Sequence, residues 1–155
     1  MIKDELIKKT LEDSKTIAMV GVSSIKKEVS TNIKRRPSTI VMKYMQEYGF
    51  KVYPVNPKAK GQKILGEKVY EKITDIKDTV DIVNVFRPSK EALDIAKDTA
   101  SIKAKVLWLQ LGIKNEEAKK IVEENKIEYV EDKCTKMEYQ KHFLKVRQAF
   151  PVLQS

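Results

Sequence analysis

Cysteine and histidine are almost absent from this chain, which has one of each, Cys134 and His142, in 155 residues. A single cysteine excludes an intrachain disulfide framework and suits a protein of the reducing cytoplasm. Because there is only one of each, the sequence also offers no metal-binding cluster of these two residue types, and no metal site is expected.

Long apolar runs are also missing. No segment approaches the roughly 20 apolar residues of a transmembrane helix, so no membrane association is expected. The N-terminal residues 1–5 are polar and charged, unlike a secretory signal, and we therefore expect a cytoplasmic protein.

The composition, 41% hydrophobic and 34% charged, is too apolar for a disordered chain. We predict one domain over 1–155, with a core of about 14–135 between an N-terminal helix and a C-terminal helical tail.

Negative charge is in deficit, because 31 lysines and arginines stand against 22 acidic residues, for a net charge of +9. Such an excess favours anionic partners, namely nucleic acid, a membrane surface or a phosphorylated small molecule, although it also serves solubility. The charge is concentrated between residues 25 and 38, where Glu28 is the one acidic residue. The basic residues there are Lys26, Lys27, Lys34, Arg35 and Arg36.

Strand and helix patterns alternate along the chain. Four β-type runs lie at 16–20, 51–55, 81–86 and 105–109, and a short fifth strand is predicted at 127–130. Helices are predicted at 4–11, 37–48, 116–124 and 136–150, and another is expected to begin at Ser89, while 58–66 is expected to be a loop. Ser89 and Asn115 are the expected helix caps. This alternation predicts an α/β fold with a doubly wound, mostly parallel five-stranded sheet and helices on both faces.

Each of the four longer strand patterns ends in polar or turn-forming residues. The first is followed by a glycine-serine turn and the second by Asn56 and Pro57. The third is followed by Arg87 and Pro88, and the fourth by a segment that includes Gln110 and Gly112. In an open α/β sheet, ligands bind at the carboxyl ends of the parallel strands. The sequence therefore predicts a binding edge there.

The turn after the first strand suggests a phosphate-rich ligand. Gly21 can make the tight turn that a strand-to-loop junction needs, and such turns can direct backbone N–H groups to phosphate. However, the loop has a single glycine and the second strand ends in Asn56, which both argue against the dinucleotide fingerprint of NAD-binding proteins. No phosphate-binding G-x-x-x-x-G-K-[ST] motif is present. Arg35 or Arg36, at a helix entrance beside Pro37 and Ser38, could bind phosphate instead.

Seven short motifs, taken in order and spacing, resemble the small stand-alone CoA-binding proteins. The motifs lie at 20–23, 36–38, 53–57, 64–70, 81–87, 108–112 and 132–134. The resemblance runs from about Ile17 to Cys134 and implies the Rossmann-like CoA-binding fold that also occurs in succinyl-CoA synthetase. It implies coenzyme A, or an acyl-CoA, as the ligand.

The resemblance also implies a set of ligand-binding residues. The first loop and the helix entrance would hold the CoA phosphates through Gly21, Val22, Ser23, Ser24, Lys26, Arg35, Arg36, Pro37 and Ser38. The adenosine and pyrophosphate region would be lined by Asn56, Pro57, Phe86, Arg87 and Pro88. Gln110 and Gly112 would close the site. The segment between Ser24 and Arg35 is longer and richer in lysine than the family pattern, which leaves open which of its cations contact the ligand.

Other residues have competing interpretations. Cys134 could form a mixed disulfide with CoA or be a small buried residue, and Gln110 could bind ligand or cap its own loop. Trp108 is expected in the core, Phe86 is the better candidate for an adenine contact, and Asp81 is expected to be structural.

The functional expectation is a CoA-binding protein without evident catalytic machinery, acting as a carrier, sensor or regulator. An acyl-CoA synthetase would need a phosphohistidine, and His142 lies outside the predicted site; it also forms no plausible Ser-His-Asp set with the strand-end serines. One alternative is an NAD-binding redox sensor or reductase. A second is a basic nucleic-acid-binding protein, which the few aromatic residues and the lack of a recognition motif disfavour. The oligomeric state is left open.

Overall fold

Strand and helix alternate as the apolar pattern predicts. The computed structural model describes residues 4–23 and 37–144. The strands are β1 (Thr16–Val20), β2 (Lys51–Val55), β3 (Lys63–Ile64), β4 (Glu67–Lys68), β5 (Ile82–Val85), β6 (Val106–Leu109) and β7 (Glu128–Val130). The α-helices are α1 (Asp4–Asp13), α2 (Pro37–Glu47), α3 (Ala92–Ser101), α4 (Glu116–Glu124) and α5 (Thr135–Phe143).

The main sheet has five parallel strands in the order β2-β1-β5-β6-β7. Its inner strands are nearly continuous apolar runs, as expected for a parallel sheet that is buried on both faces. The chain passes from β1 outward to β2 and then returns across β1 to β5. The strand order therefore reverses between β1 and β5, and this switch point is where open α/β sheets bind ligands. The predicted fold class is confirmed.

Alternate side chains of each strand enter two separate cores. Ile17 and Met19 of β1 pack in the core that α1, α2 and α5 cover, whereas Ala18 and Val20 face α3 and α4. Trp108 is completely buried in the first core, as predicted, and its indole N–H donates to the carbonyl oxygen of Lys133 at 2.8 Å. No helix in the described part of the chain is long and apolar enough to cross a bilayer.

Two local predictions are corrected by the structure. The expected loop at 58–66 contains β3 and leads through Leu65 and Gly66 into β4, because burial of Ile64 and Val69 stabilises a small hairpin. Ser89 does not cap the next helix: its Oγ accepts from the backbone N–H of Lys114 at 3.0 Å. A 3₁₀ turn, Ser89–Glu91, precedes α3 instead.

Other helix boundaries agree with the sequence pattern. The Asn115 cap is confirmed, since its Oδ1 accepts from the Ala118 N–H at 2.8 Å at the start of α4. Helix α5 begins at Thr135, next to its predicted start, but it ends at Phe143 with Leu144 as its C-cap, earlier than the predicted end at residue 150.

Asp81 joins the amino ends of three strands, which confirms its expected structural role. Its Oδ2 accepts from the backbone N–H groups of Lys15 at 2.7 Å and Thr16 at 3.2 Å, and Lys105 Nζ lies 3.5 Å from Oδ1. Burial acts to raise the pKa of Asp81, but the two N–H donors and the Lys105 ammonium outweigh it, so the pKa is lowered.

We expect Asp81→Asn to lower the free energy of unfolding at neutral pH by about 1–3 kcal/mol, because the charged acceptor of two backbone N–H groups is lost. A carboxyl whose pKa is lowered on folding stabilises the protein above its unfolded pKa, and that contribution disappears as pH falls through the folded pKa. The difference between wild type and variant in urea unfolding should therefore shrink below about pH 4.

Asp13→Asn, at an exposed surface carboxylate that pairs with Lys9, serves as the matched control. A pH-independent difference between Asp81→Asn and wild type would contradict the electrostatic explanation.

Candidate functional site

A cavity of about 460 Å³ opens at the carboxyl ends of β1 and β2, on the side of the sheet that α3 covers. We call it the switch-point cavity. It brings together four of the predicted site residues, namely Gly21, Asn56, Pro57 and Arg87. Its lining combines the aliphatic side chains of Val20, Val55, Ile73 and Ile95 with the charged side chains of Lys58, Lys72, Arg87, Glu71, Glu91 and Asp98.

Gly21 is required at the first turn for two reasons. Its φ of +92° lies in the left-handed region that favours glycine. A Cβ at this position would also lie 2.7 Å from Arg87 Cδ and 3.0 Å from the Phe86 carbonyl oxygen. The Gly21 N–H donates to Val55 O at 2.8 Å, so this N–H is used within the fold and is not directed at a ligand. The glycine instead permits the close approach of Arg87.

Arg87 lies across the glycine turn in a bidentate ion pair with Glu91. Its Nε donates to Oε1 at 2.9 Å and its Nη2 to Oε2 at 2.8 Å, and the arginine side chain is 45% exposed. The hydrogen bonds raise the pKa of Arg87 and lower that of Glu91, so both groups are held in their charged forms. Glu91 was not predicted from the sequence, although an acidic residue four positions after Arg87, near the predicted start of a helix, is a usable signal.

The pKa of a second acidic residue of the cavity, Asp98, is shifted in the opposite direction to that of Glu91. Burial raises the pKa of Asp98, neighbouring Asp94 adds to the effect, and Lys72 opposes it. Asp98 therefore binds a proton more readily than an exposed aspartate does.

Asn56 joins the ends of the first two strands through hydrogen bonds. Its Nδ2 donates to Val22 O at 2.8 Å, and its Oδ1 accepts from the Lys58 N–H at 2.9 Å as the cap of the 3₁₀ turn Pro57–Ala59. Because both ends of the amide are occupied, Asn56 fixes the shape of the cavity. The same turn places Lys58 in the lining. Lys58 was not among the residues predicted from the strand ends, although a cation directly after Asn56-Pro57 is a signal for it.

The two residues that follow Gly21, Val22 and Ser23, face the other side of the sheet. The backbone N–H of Ser23 donates to Ser38 Oγ at 3.0 Å, which joins the end of the turn to the first turn of α2 at Pro37. Val22 is completely buried, and Phe86 packs against the same core. The predicted residues are therefore divided between the cavity and the entrance of α2.

Gln110 contributes to the fold through a buried polar network. Its Oε1 accepts from Asn84 Nδ2 and from the backbone N–H of Thr135, both at 3.2 Å, while Thr135 Oγ1 donates to Asn84 Oδ1 at 3.0 Å. This side-chain oxygen therefore caps the first turn of α5.

Three other predicted or discussed residues do not line the cavity. Gly112 donates its N–H to Asp132 Oδ1 at 2.7 Å, Pro88 is exposed before a 3₁₀ turn, and Cys134 is buried in the core beneath α5. The predicted phosphate-binding residues Ser24, Lys26, Arg35 and Arg36, with Lys27 and Lys34, lie outside the described residues.

Comparison with protein families agrees with this arrangement of loops and strands. The sequence model of the CoA-binding domain matches residues 15–140. The chain belongs to the CoA-binding domain family. The matched range includes every strand of the main sheet and all the strand ends described above, so the family resemblance inferred from the motifs is confirmed.

Similar proteins and solved structures cover most of the chain. The uncharacterized protein YneT of Bacillus subtilis is 36% identical over 131 residues, which are 84% of this chain and 90% of that protein. The solved structure of cell-free ID.343 from Thermus thermophilus has a TM-score of 0.82 and 32% identity, covering 92% of this chain and all of that one.

The same fold is also found inside a larger enzyme. The dinucleotide-forming acetyl-coenzyme A synthetase 1 of Ca. Korarchaeum cryptofilum matches 78% of this chain with a TM-score of 0.61, over 26% of its own length. At 22% identity this similarity concerns the fold alone.

We expect Gly21→Ala to destabilise the protein more than Gly61→Ala does. Gly61 has a similar φ of +85°, but within the described part of the chain no atom lies within 4 Å of a Cβ placed there. Gly61→Ala should therefore cost only the backbone strain of about 1–2 kcal/mol. Gly21→Ala should cost about 1–3 kcal/mol more, because the methyl group meets Arg87 and Phe86 O.

Urea unfolding of the two glycine variants measures the difference. Equal losses in both would show that the contact between Gly21 and Arg87 does not constrain this turn.

Proposed function

We propose that this protein binds coenzyme A or an acyl-CoA at the carboxyl edge of its sheet, without catalysing a reaction on it. The observation that carries the proposal is the convergence of Gly21, Asn56, Pro57 and Arg87 on one cavity at the switch point. A member of the CoA-binding family with its strand ends so arranged has a place for a nucleotide. The biological role we propose is that of a carrier, sensor or regulator in the cytoplasm.

The chemistry of the switch-point cavity suits an anionic ligand with apolar parts. Lys58, Lys72 and Arg87 provide cations that can pair with phosphate, and aliphatic side chains provide a surface for the rest of the molecule. Arg87 is already oriented by Glu91, so a phosphate has to compete with this carboxylate for the guanidinium. On the other side of the sheet, Ser23, Ser38 and the first turn of α2 provide a second phosphate contact.

Asn56 is the residue that favours CoA over NAD in this proposal. An NAD site of this class needs a carboxylate at the end of the second strand to hold the ribose hydroxyls. Here the position is an amide, and both of its ends are engaged by Val22 O and the Lys58 N–H. NAD is therefore expected to bind more weakly than CoA.

The first experiment measures the melting temperature with CoA, dephospho-CoA, NAD and ADP at two salt concentrations. A ligand that binds the native state raises the melting temperature by mass action. We expect the largest rise with CoA, a smaller rise with dephospho-CoA and none with NAD. A larger rise with NAD would favour the redox-sensor alternative. Binding that shows no preference among the nucleotides and disappears at the higher salt concentration would favour nonspecific binding of polyanions.

Two variants at the cavity should change CoA affinity in opposite directions. We expect Arg87→Met to weaken binding by about tenfold or more, because a charge-assisted hydrogen bond to phosphate is lost. We expect Glu91→Gln to tighten it, since the ligand then competes with a neutral partner for Arg87. Isothermal titration calorimetry with CoA provides the measurement.

The matched control is Lys90→Met, which removes the same charge from the neighbouring exposed turn but not from the cavity lining. If Lys90→Met and Arg87→Met weakened binding equally, net charge rather than the switch-point cavity would control affinity.

A further inference from the structure

We propose that Asp4, Glu138 and His142 bind one divalent transition-metal ion of the Zn²⁺ class between α1 and α5. Glu138 and His142 are four residues apart on α5, so they share one face of that helix, and Asp4 is the first residue of α1. One carboxylate oxygen from each acid and one imidazole nitrogen lie within 4.8 Å of one another. None of the three residues lines the switch-point cavity.

Two of these ligand atoms are buried without hydrogen-bond partners. Glu138 Oε1 and His142 Nε2 have no hydrogen-bond partner among residues 4–23 and 37–144, although they lie close to each other, and their side chains are only 12% and 10% exposed. Buried polar atoms are nearly always satisfied, because leaving one unpaired costs about 1–3 kcal/mol. A metal ion placed between them would satisfy both atoms.

The separation of the two atoms fits a shared metal ion. Glu138 Oε1 lies 3.4 Å from His142 Nε2. Ligands at the usual Zn–N and Zn–O distances in a tetrahedral site are also about 3.4 Å apart. The two groups on α5 therefore need little movement, and Asp4 closes the third position from α1.

The types of ligand select the class of metal. An imidazole nitrogen with two carboxylates suits Zn²⁺ and its neighbours in the transition series, whereas Mg²⁺ and Ca²⁺ prefer sites built of oxygen alone. Three protein ligands leave the remaining coordination position to water. Such an ion would join the helix that precedes β1 to the helix that follows β7.

The ammonium group of Lys141 would compete with a metal ion for the carboxylate of Asp4. Its Nζ lies 3.0 Å from Asp4 Oδ2, and this ion pair lowers the pKa of Asp4. A bound cation must displace the ammonium or use the other oxygen of the carboxylate. Removal of the lysine charge should therefore strengthen metal binding, whereas loss of any of the three ligands should weaken it.

Calorimetric titration of the full-length protein without an affinity tag, with ZnCl₂ as the probe, tests the site. We expect one Zn²⁺ per chain, with the affinity lowered about tenfold or more in Asp4→Asn, Glu138→Gln and His142→Gln. Lys141→Gln should bind Zn²⁺ more tightly than wild type. The control is Glu5→Gln, which removes a neighbouring exposed carboxylate of α1 and should leave the affinity unchanged.

A second measurement uses wild type alone and so does not depend on folding of the variants. The chain has one histidine, so imidazole ¹⁵N signals of labelled protein belong to His142 without further assignment. Zn²⁺ should shift the Nε2 signal in proportion to the bound fraction, whereas Mg²⁺ should not.

Four results would overturn the proposal. They are an absence of Zn²⁺ binding, unchanged binding in the three ligand variants, weaker binding in Lys141→Gln, and an unmoved His142 signal at saturation. Any of them would show that Glu138 and His142 are only neighbouring side chains packed between α1 and α5.

Discussion

The pairing of β1 with neighbours on both sides is the constraint on which the rest of the structure depends. β1 has β2 on one side and β5 on the other, and the ladders continue past its end through Gly21 N to Val55 O and Phe86 N to Val20 O. A chain held in this way can leave the sheet only in a sharp turn. The turn divides the strand-end residues between the α3 side, where Arg87 lies, and the α2 side, where Ser23 meets Ser38.

This division makes the binding edge largely preformed. Asn56 uses both ends of its amide to join the first loop to the second, and Glu91 orients the guanidinium of Arg87 over the turn. Groups that are already positioned lose little conformational entropy when a ligand arrives, so more of the interaction energy remains as affinity. In the proposed complex, a ligand has to compete with Glu91 for the guanidinium of Arg87.

The fold could be predicted because its signals are local. Continuous apolar runs located the strands of the main sheet, Asn115 indicated the start of α4, and the place of Trp108 inside an apolar run predicted its burial. The features that the sequence did not indicate are contacts between residues that lie far apart along the chain. Ser89 has the sequence context of a helix cap, but its Oγ accepts from the Lys114 N–H instead. Gln110 caps a helix that begins 25 residues later. Asp4 and His142 meet only because α1 and α5 cover the same face.

The network of Asn84, Gln110 and Thr135 has a consequence for how α5 can move. The three residues are buried, and their hydrogen bonds fix the first turn of α5 on the ends of β5 and β6. Hydrogen bonds are directional, so a small sliding of the helix would leave several buried polar groups unpaired at once. Helix α5 therefore cannot drift gradually along the sheet. Any displacement of α5 must break these hydrogen bonds together, so the attachment of the helix to the sheet is lost in one step rather than by degrees.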